Sequence, residues 1–313
     1  MVRGGATNRW WIYQRERFPL VANGLLITAL GLSAVGYSAL LRGQQALPSL
    51  AVSVTACLSC FLFFLQLRIS DEFKDYRDDL TYRPYRPLPR GLVTLKELGL
   101  IGLVAAVLQF FLALWLEPRL LLILVTVWAY LGLMSKEFFV AKWLKARPLV
   151  YLWSHMLILP SIILYATACD WVVAGETVPA PGLGWFLAFS LFNGVVLEIG
   201  RKLRAPEDEE EGVETYTVLY GRNRAVAFWL GALAMTALAA ILAARQIAFL
   251  WPVLLLLGIL VMVGAVLARG FLEQPVTSRA KRFELFSGLW TLSLYVSVGI
   301  VPALLRLGAT PQL

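Results

Sequence analysis

The sequence has only one histidine and three cysteines in 313 residues, and only 15% of its residues are charged. Cys57 and Cys60 form a C-x-x-C pair in an apolar stretch, with no second pair and no histidine beside them. A zinc or redox site is therefore not expected, and both are interpreted as small core residues. Cys169 has no obvious partner. No signal peptide is predicted, because the first apolar run begins late and lacks a small-residue cleavage site.

Apolar residues dominate what is present. They make up 59% of the chain, and the mean hydropathy is +0.71. Several apolar runs are long enough to cross a bilayer as helices. We predict an all-α, polytopic membrane protein with spans at residues 19–41, 48–69, 97–116, 119–135, 149–168, 183–200, 225–244, 247–268 and 284–305.

The positive charges predict the orientation of these spans. All but four of the 28 Lys and Arg residues lie in the N-terminal tail and around the connections after spans 2, 4, 6 and 8. The exceptions are Arg42, Arg119, Arg245 and Arg306. Cytoplasmic loops carry the excess of positive charge, so we place the N-terminus and these four connections in the cytoplasm. The net charge of +8 then reflects topology and contact with anionic lipid, and no nucleic-acid partner is expected.

Residues 1–18 are predicted to form an interfacial segment ahead of the membrane domain, which comprises residues 19–313. Arginines surround Trp10, Trp11 and Tyr13 in this segment. Such a mixture is typical of chain that lies at the membrane surface.

An acidic motif follows span 2 directly. If the helix continues, Asp71, Asp75 and Asp79 recur every four residues and share one stripe of its surface. Repulsion between stacked carboxylates is relieved by a multivalent cation, and hard oxygen ligands suit Mg²⁺. Arg83 and Arg86 each precede a proline, which ends the helix and leaves two guanidinium groups near the acids. The pattern indicates a metal and phosphate site; the alternative is a solvated charged loop.

A second acidic cluster follows span 6. Glu198 and Lys202 lie one turn apart, and five acidic residues then occupy positions 207–211. Such a run alone is usually a solvated surface. Its position after span 6 matches that of the first motif after span 2. We therefore predict a duplicated unit, spans 1–4 and 5–8 with span 9 added, in which both clusters meet at one mouth.

Two further residues are candidates for the site. Lys136 ends span 4, where it can reach a diphosphate, or it can belong to the ordinary cytoplasmic positive charge. His155 lies within span 5. It is either a packed hydrogen-bonding residue or a group that lines a reaction cavity and takes a proton.

Both motifs resemble those of the UbiA superfamily of intramembrane prenyltransferases. The first motif of that family reads N-D-x-x-D-x-x-x-D and is followed by R-P-x-R-P-L-P-x-G. Here the acids are Asp71, Glu72, Asp75 and Asp79, and residues 83–91 read RPYRPLPRG. The chain departs from the family at the initial Asn-Asp pair, at the first acid of the second motif, which is glutamate, and at Gly132, where a tyrosine is usual.

The resemblance implies nine helices around a central cavity, with Mg²⁺ as cofactor and a polyprenyl diphosphate as donor. The metal ligands would be Asp71, Asp75, Asp79, Glu198, Asp208 and Glu211. The diphosphate would be bound by Arg83, Arg86, Lys136, Arg201 and Lys202. The groups assigned to catalysis are Asp71, Asp75, Asp79, Arg86, Lys136 and His155.

The function predicted in this way is transfer of the prenyl group to a lipophilic acceptor, of the aromatic or quinone-precursor type, within the membrane. The alternative is a terpene cyclase of the same family, which needs no acceptor. A transporter or lipid-binding membrane protein is the alternative from another class, although transporters more often place their ionisable groups near mid-bilayer.

Overall fold

The structure is a computed structural model in which residues 8–308 are described. In that range the regular structure is entirely helical, and no strand is formed. The all-α prediction is therefore confirmed. The α-helices are α1 Arg9–Arg17, α2 Leu20–Leu41, α3 Leu50–Tyr82, α4 Leu95–Leu116, α5 Leu120–Ser135, α6 Ala141–Lys145, α7 Pro148–Met156, α8 Ile158–Trp171, α9 Leu183–Arg201, α10 Tyr216–Tyr220, α11 Arg222–Gln246, α12 Leu250–Glu273, α13 Thr277–Tyr295 and α14 Val301–Leu307.

The predicted spans agree with these helices. Eight segments between residues 8 and 308 are long and apolar enough to cross a membrane, and the 16-residue α5 is a further, shorter apolar helix. Successive spans run in opposite directions, so the ends of α3, α5, α9 and α12 lie at one end of the bundle. We call this the motif end, because α3 and α9 carry the acidic motifs there.

Helix bounds differ from the prediction where charge or proline intervenes. α3 has 33 residues and reaches Tyr82, well past residue 69, because its charged last turns continue the helix outside the apolar run. The fifth span is divided at Leu157, and Pro160 lies in the first turn of α8, where its missing N–H removes no helix hydrogen bond. Before Pro302 the last span widens into a π-helical turn at Val296–Ile300, which makes room for the proline ring.

Small residues bring the spans close together. A Cβ added to Gly31 would lie 2.9 Å from the Cys57 Sγ, and one added to Gly299 would lie 2.5 Å from the Ser33 Cα. Such close approach is how membrane helices gain packing contacts, since no water is expelled between them. Cys57, Cys60 and Cys169 are free thiols.

Helix α1 is fastened to the motif end of the bundle. The Arg17 Nε donates to Glu72 Oε1 on α3 at 2.5 Å, and the Arg9 Nη2 donates to Glu97 Oε1 on α4 at 2.6 Å. Glu72 is only 1% exposed; Arg17 pairs with its Oε1, and its Oε2 has no hydrogen-bond partner in the described chain. The interfacial segment predicted at residues 1–18 therefore includes a docked helix; residues 1–7 lie outside the described residues.

Candidate active site

The first acidic motif lies on the last turns of α3, as the sequence predicts. Asp79 is 1% exposed; its carboxylate lies 2.9 Å from the Arg83 Nε in an ion pair and accepts from the Arg86 Nη1 at 2.8 and 3.0 Å. Asp75, one turn earlier, forms no hydrogen bond or ion pair with any residue of the described chain. The stripe thus contains one carboxylate that two arginines neutralise and one that is free to bind a ligand.

The loop after α3 returns the arginines to the helix. The helix ends at Tyr82, and the Arg86 N–H donates to the Arg83 carbonyl at 3.0 Å in the turn that follows. Pro84 and Pro87 cannot continue a helix and hold this turn. Both guanidinium groups lie near the acids, as predicted, but they are bound to Asp79.

A lysine that the sequence analysis did not single out links the first motif to span 5. The Lys74 Nζ lies 3.3 Å from the Asp71 Oδ1 and donates to the Tyr151 hydroxyl at 2.9 Å. The Tyr151 ring stacks on His155 with 3.8 Å between ring centroids. The sequence does contain a signal for Lys74: it follows Asp71 by three residues, a spacing at which side chains on a helix form ion pairs.

His155 is 6% exposed and close to this cluster. Its Nδ1 lies 2.9 Å from the Tyr151 carbonyl oxygen, which can only accept, so Nδ1 carries a proton. In the neutral ring Nε2 then has the lone pair, and it has no hydrogen-bond partner in the described chain. The predicted proton-accepting role is chemically open to it.

The second motif contains one strongly paired acid. Glu198 lies 2.6 Å from the Arg201 Nη2 and 2.9 Å from the Lys202 Nζ. Both cations follow it by three and four residues on the last turn of α9, so the helix itself creates the pair. The predicted metal ligand is therefore paired with two predicted diphosphate ligands, and the group keeps one positive charge.

The acidic run after α9 has mostly structural contacts. Glu207 Oε1 accepts from the Thr277 N–H at 2.8 Å, and Asp208 Oδ1 accepts from the Thr277 hydroxyl at 3.0 Å. These two carboxylates lie at the N-terminus of α13, where negative charge is favourable. Glu209 accepts from the hydroxyl of Thr215 at 2.8 and 2.9 Å. Glu211 is exposed and makes no contact of this kind within residues 8–308.

The two motifs meet directly. The Tyr85 hydroxyl, in the loop after the first motif, donates to Glu210 Oε2 in the second at 2.6 Å. This bond, and then Arg204, lowers the pKa of Glu210. Gly212, with a φ of +72°, lies against the Tyr82 ring, where any Cβ would lie within 2.3 Å of a ring carbon. The structure thus brings the two acidic motifs together at the motif end; the predicted duplication of spans 1–4 and 5–8 stays a prediction.

Lys136 begins an unusual backbone segment at this mouth. Its backbone N–H donates to carbonyls of the last turn of α5, whereas its side chain is exposed and forms no ion pair in the described range. Glu137, Phe138 and Phe139 all have positive φ, at 47°, 52° and 61°. Non-glycine residues rarely adopt this conformation, and strain of this kind clusters at functional sites. Phe138 packs edge-on against His155, with 6.1 Å between ring centroids.

Glu137 is a second group that the sequence analysis missed. It is 6% exposed, and its Oε1 has no hydrogen-bond partner in residues 8–308. A buried, unsatisfied carboxylate is costly, so a positively charged or hydrogen-bonding ligand is expected nearby. Sequence offers no signal for it, since its burial depends on the turn after α5.

Comparison with known proteins identifies the relationship. The profile of the UbiA prenyltransferase family matches residues 25–292. The chain belongs to this family. Both motifs, α3 and α9 lie inside the matched region. The comparison with curated proteins found no match.

Solved structures of UbiA relatives share the fold at low sequence identity. An apo UbiA homolog from Aeropyrum pernix K1 has a TM-score of 0.63 and 16% identity, over 87% of this chain and 94% of that one. A digeranylgeranylglyceryl phosphate synthase gives 0.57 and 18%, over 94% and 98%. A UbiA homolog from Archaeoglobus fulgidus, solved with DMAPP and Mg²⁺, gives 0.53 and 16%, over 92% and 99%.

The donor set of this UbiA family member suits Mg²⁺, but its present arrangement does not form a complete metal cage. Within the described residues no three acidic, histidine or cysteine side chains stand together in a metal-binding group. Carboxylate oxygens are the ligands Mg²⁺ prefers, and Asp75 and Glu211 are available. Asp71, Asp79 and Glu198 are bound to Lys or Arg. Binding a metal here requires these cations to be exchanged for it.

Proposed function

We propose that the protein is a Mg²⁺-dependent prenyltransferase that transfers a prenyl group from a polyprenyl diphosphate to a lipophilic acceptor within the membrane. The observation that carries this proposal is the junction of the two acidic motifs at one end of an apolar bundle, made by Tyr85 and Glu210. A diphosphate needs concentrated positive charge beside water, and an isoprenoid tail needs an apolar environment. The motif end of a membrane bundle offers both.

The cations of the site suit the donor's diphosphate. In the ligand-free arrangement Arg201 and Lys202 hold Glu198, and Arg83 and Arg86 hold Asp79. A diphosphate competes for these cations, since guanidinium groups bind phosphate oxygens as readily as carboxylates. Exposed Lys136 has no pair to break. The cations Arg83, Arg86, Arg201 and Lys202 would then hold the donor, and the carboxylates that they release would be free to hold Mg²⁺.

The carboxylates that would hold Mg²⁺ are Asp71, Asp75, Asp79, Glu198, Asp208 and Glu211. When bound, the metal neutralises the charge that develops on the leaving diphosphate.

Transfer begins with cleavage of the carbon–oxygen bond, and the electron pair leaves with the diphosphate. Arg86, Lys136, Arg201 and Lys202 stabilise that charge. The remaining allylic cation is attacked by an electron-rich carbon of the acceptor, which then loses a proton. His155 is the base we assign, because its unpartnered Nε2 has the lone pair. Its stacking on Tyr151 fixes the plane of the ring.

The deciding experiment uses the purified protein in lipid with Mg²⁺ and a series of radiolabelled prenyl diphosphates, with and without an extract of membrane quinone precursors. Label that enters a new lipophilic product only with the extract supports transfer. A cyclic hydrocarbon or alcohol formed without extract would instead support the cyclase. Absence of any Mg²⁺-dependent loss of donor would refute both enzymes and favour the transporter.

A matched pair of variants tests the site itself. Asp75→Asn removes the free carboxylate and is expected to lower turnover at least a hundredfold, within the range that loss of one electrostatic group costs a reaction. Asp78→Asn removes the same charge three residues later, where the side chain is exposed and lies 3.5 Å from Lys145. It should retain nearly full activity. Equal loss in both variants would show that general surface charge, and not this stripe, supports the reaction.

A further inference from the structure

An apolar cavity of about 370 Å³ lies beside the contact between α1 and the helices α3 and α4. Its wall on the bundle side is formed by aliphatic side chains of α3 and α4, including Leu65, Leu98 and Ile101. The indoles of Trp10 and Trp11 form the wall on the α1 side. The space equals about a dozen water molecules in volume, yet its lining offers almost no partners for them. An apolar chain is the occupant that such a wall favours.

Three polar residues line this cavity, and two of them have partners: the side-chain oxygens of Asn8 and Gln14 accept from the N–H groups of Trp10 and Leu20. Tyr13, from α1, lines it and is 5% exposed, and its hydroxyl has no hydrogen-bond partner within residues 8–308. A buried hydroxyl without a partner is destabilising, so a ligand oxygen would relieve it. The occupant should therefore have a polar oxygen next to its apolar chain.

A basic rim adjoins the cavity. A smaller cavity of about 230 Å³ is lined by Trp11, Arg15, Glu16 and Arg90, and Trp11 belongs to both cavities. Arg90 donates to both oxygens of Glu16 at 3.0 Å. Arg15 is exposed and has no acidic partner among the described residues. The rim thus has one positive charge that no acidic group between residues 8 and 308 pairs with.

We propose that this site between α1, α3 and α4 binds an anionic phospholipid of the surrounding leaflet. One acyl chain occupies the apolar cavity, the ester oxygens accept from the Tyr13 hydroxyl, and the phosphate contacts Arg15. Amphipathic helices with tryptophan and arginine bind anionic membrane surfaces in this way. The proposal does not depend on the proposed function. It does bear on the site, because the same helix reaches the first motif through Arg17 and Glu72.

The test is lipid retention measured by native mass spectrometry. The whole protein is titrated in detergent with dioleoyl phosphatidylglycerol and with dioleoyl phosphatidylcholine, which share acyl chains and differ in charge. The wild-type protein should retain phosphatidylglycerol preferentially. Arg15→Gln should lower that preference about fivefold, the factor that matches about 1 kcal/mol for one arginine at a lipid surface. The control is Arg282→Gln, which removes an exposed arginine that lines neither cavity.

A second variant separates the apolar part of the site from its charge. Ile101→Trp places a larger side chain in the cavity and should reduce retention of both lipids, whereas Tyr13→Phe should reduce both less strongly. Equal effects of Arg15→Gln and Arg282→Gln would overturn the proposal, because general charge would then explain the preference. Unchanged retention in Ile101→Trp would overturn it as well, since the chain would then lie elsewhere.

Discussion

Asp79 and Asp75 belong to the same helical stripe, yet the structure predicts different effects on stability: removing the Asp79 charge should destabilise the protein, and removing the Asp75 charge should not. In Asp79→Asn, Arg83 and Arg86 lose the carboxylate that both contact. Asparagine keeps the shape and one acceptor but not the charge. In Asp75→Asn no partner is left unpaired, because Asp75 has none in the described chain.

The magnitudes follow from burial. Removing one partner of a fully buried ion pair costs about 3–5 kcal/mol. The two arginine side chains keep 17% and 19% of their surface exposed, so water partly solvates them after the change. We therefore expect a loss of about 2–3 kcal/mol in Asp79→Asn. At about 2–4 °C per kcal/mol, the melting temperature should fall by roughly 5–10 °C. Asp75→Asn should stay within about 0.5 kcal/mol of the wild type.

The assay is thermal unfolding in detergent with a metal chelator present, so that bound metal does not contribute to stability. Asp78→Asn serves again as the exposed control on the same helix. If Asp79→Asn melts at the temperature of the wild type, the pairing of Asp79 with the arginines is not what stabilises the loop. If Asp75→Asn is the less stable variant, Asp75 has a partner that this arrangement lacks.

Three further predictions concern contacts that join separate segments. Lys74→Met should tighten Mg²⁺ binding about two- to fivefold, because the lysine no longer competes with the metal for the Asp71 carboxylate. The measurement is calorimetry without donor, and weaker binding would contradict the prediction. Arg17→Gln should expose α1 to trypsin by leaving Glu72 unpaired, and an unchanged cleavage rate would show that α1 is held elsewhere. The hydrogen bond from the Tyr85 hydroxyl lowers the pKa of Glu210 in the folded protein below its ordinary value of 4.5. The stability that this bond contributes is therefore complete above pH 4.5 and is lost as the pH falls through the pKa of folded Glu210. In Tyr85→Phe, stability should therefore change less between pH 6 and pH 3.5.

Local pattern was enough to predict much of the fold. Apolar runs predict the spans, and the condition under which Asp71, Asp75 and Asp79 share one stripe is met, because α3 continues as a helix to Tyr82. The prolines after Arg83 and Arg86 correctly predict that the arginines return toward the acids. Each of these inferences uses residues within about one or two helical turns of one another, where sequence spacing determines position.

Contacts between distant segments could not be predicted in this way. Glu72 looks like one more acid of the first motif, but it is neutralised by Arg17, 55 residues earlier. The pairing of Tyr85 with Glu210 joins residues 125 positions apart. Asp208 was assigned to the metal from the acidic run, and its contact with Thr277 depends on where α13 begins. Its assignment as a ligand stays a prediction.

The length of α3 couples the site to the bilayer itself. At about 1.5 Å per residue, its 33 residues span roughly 50 Å, against a hydrocarbon thickness of about 30 Å. The carboxylates thus stand on a rigid extension of a membrane helix, and no flexible hinge separates them from it. A helix adapts to thinner or thicker lipid by tilting, and the tilt is transmitted along its full length. Bilayer thickness would then set the height and angle at which this protein presents its acidic groups.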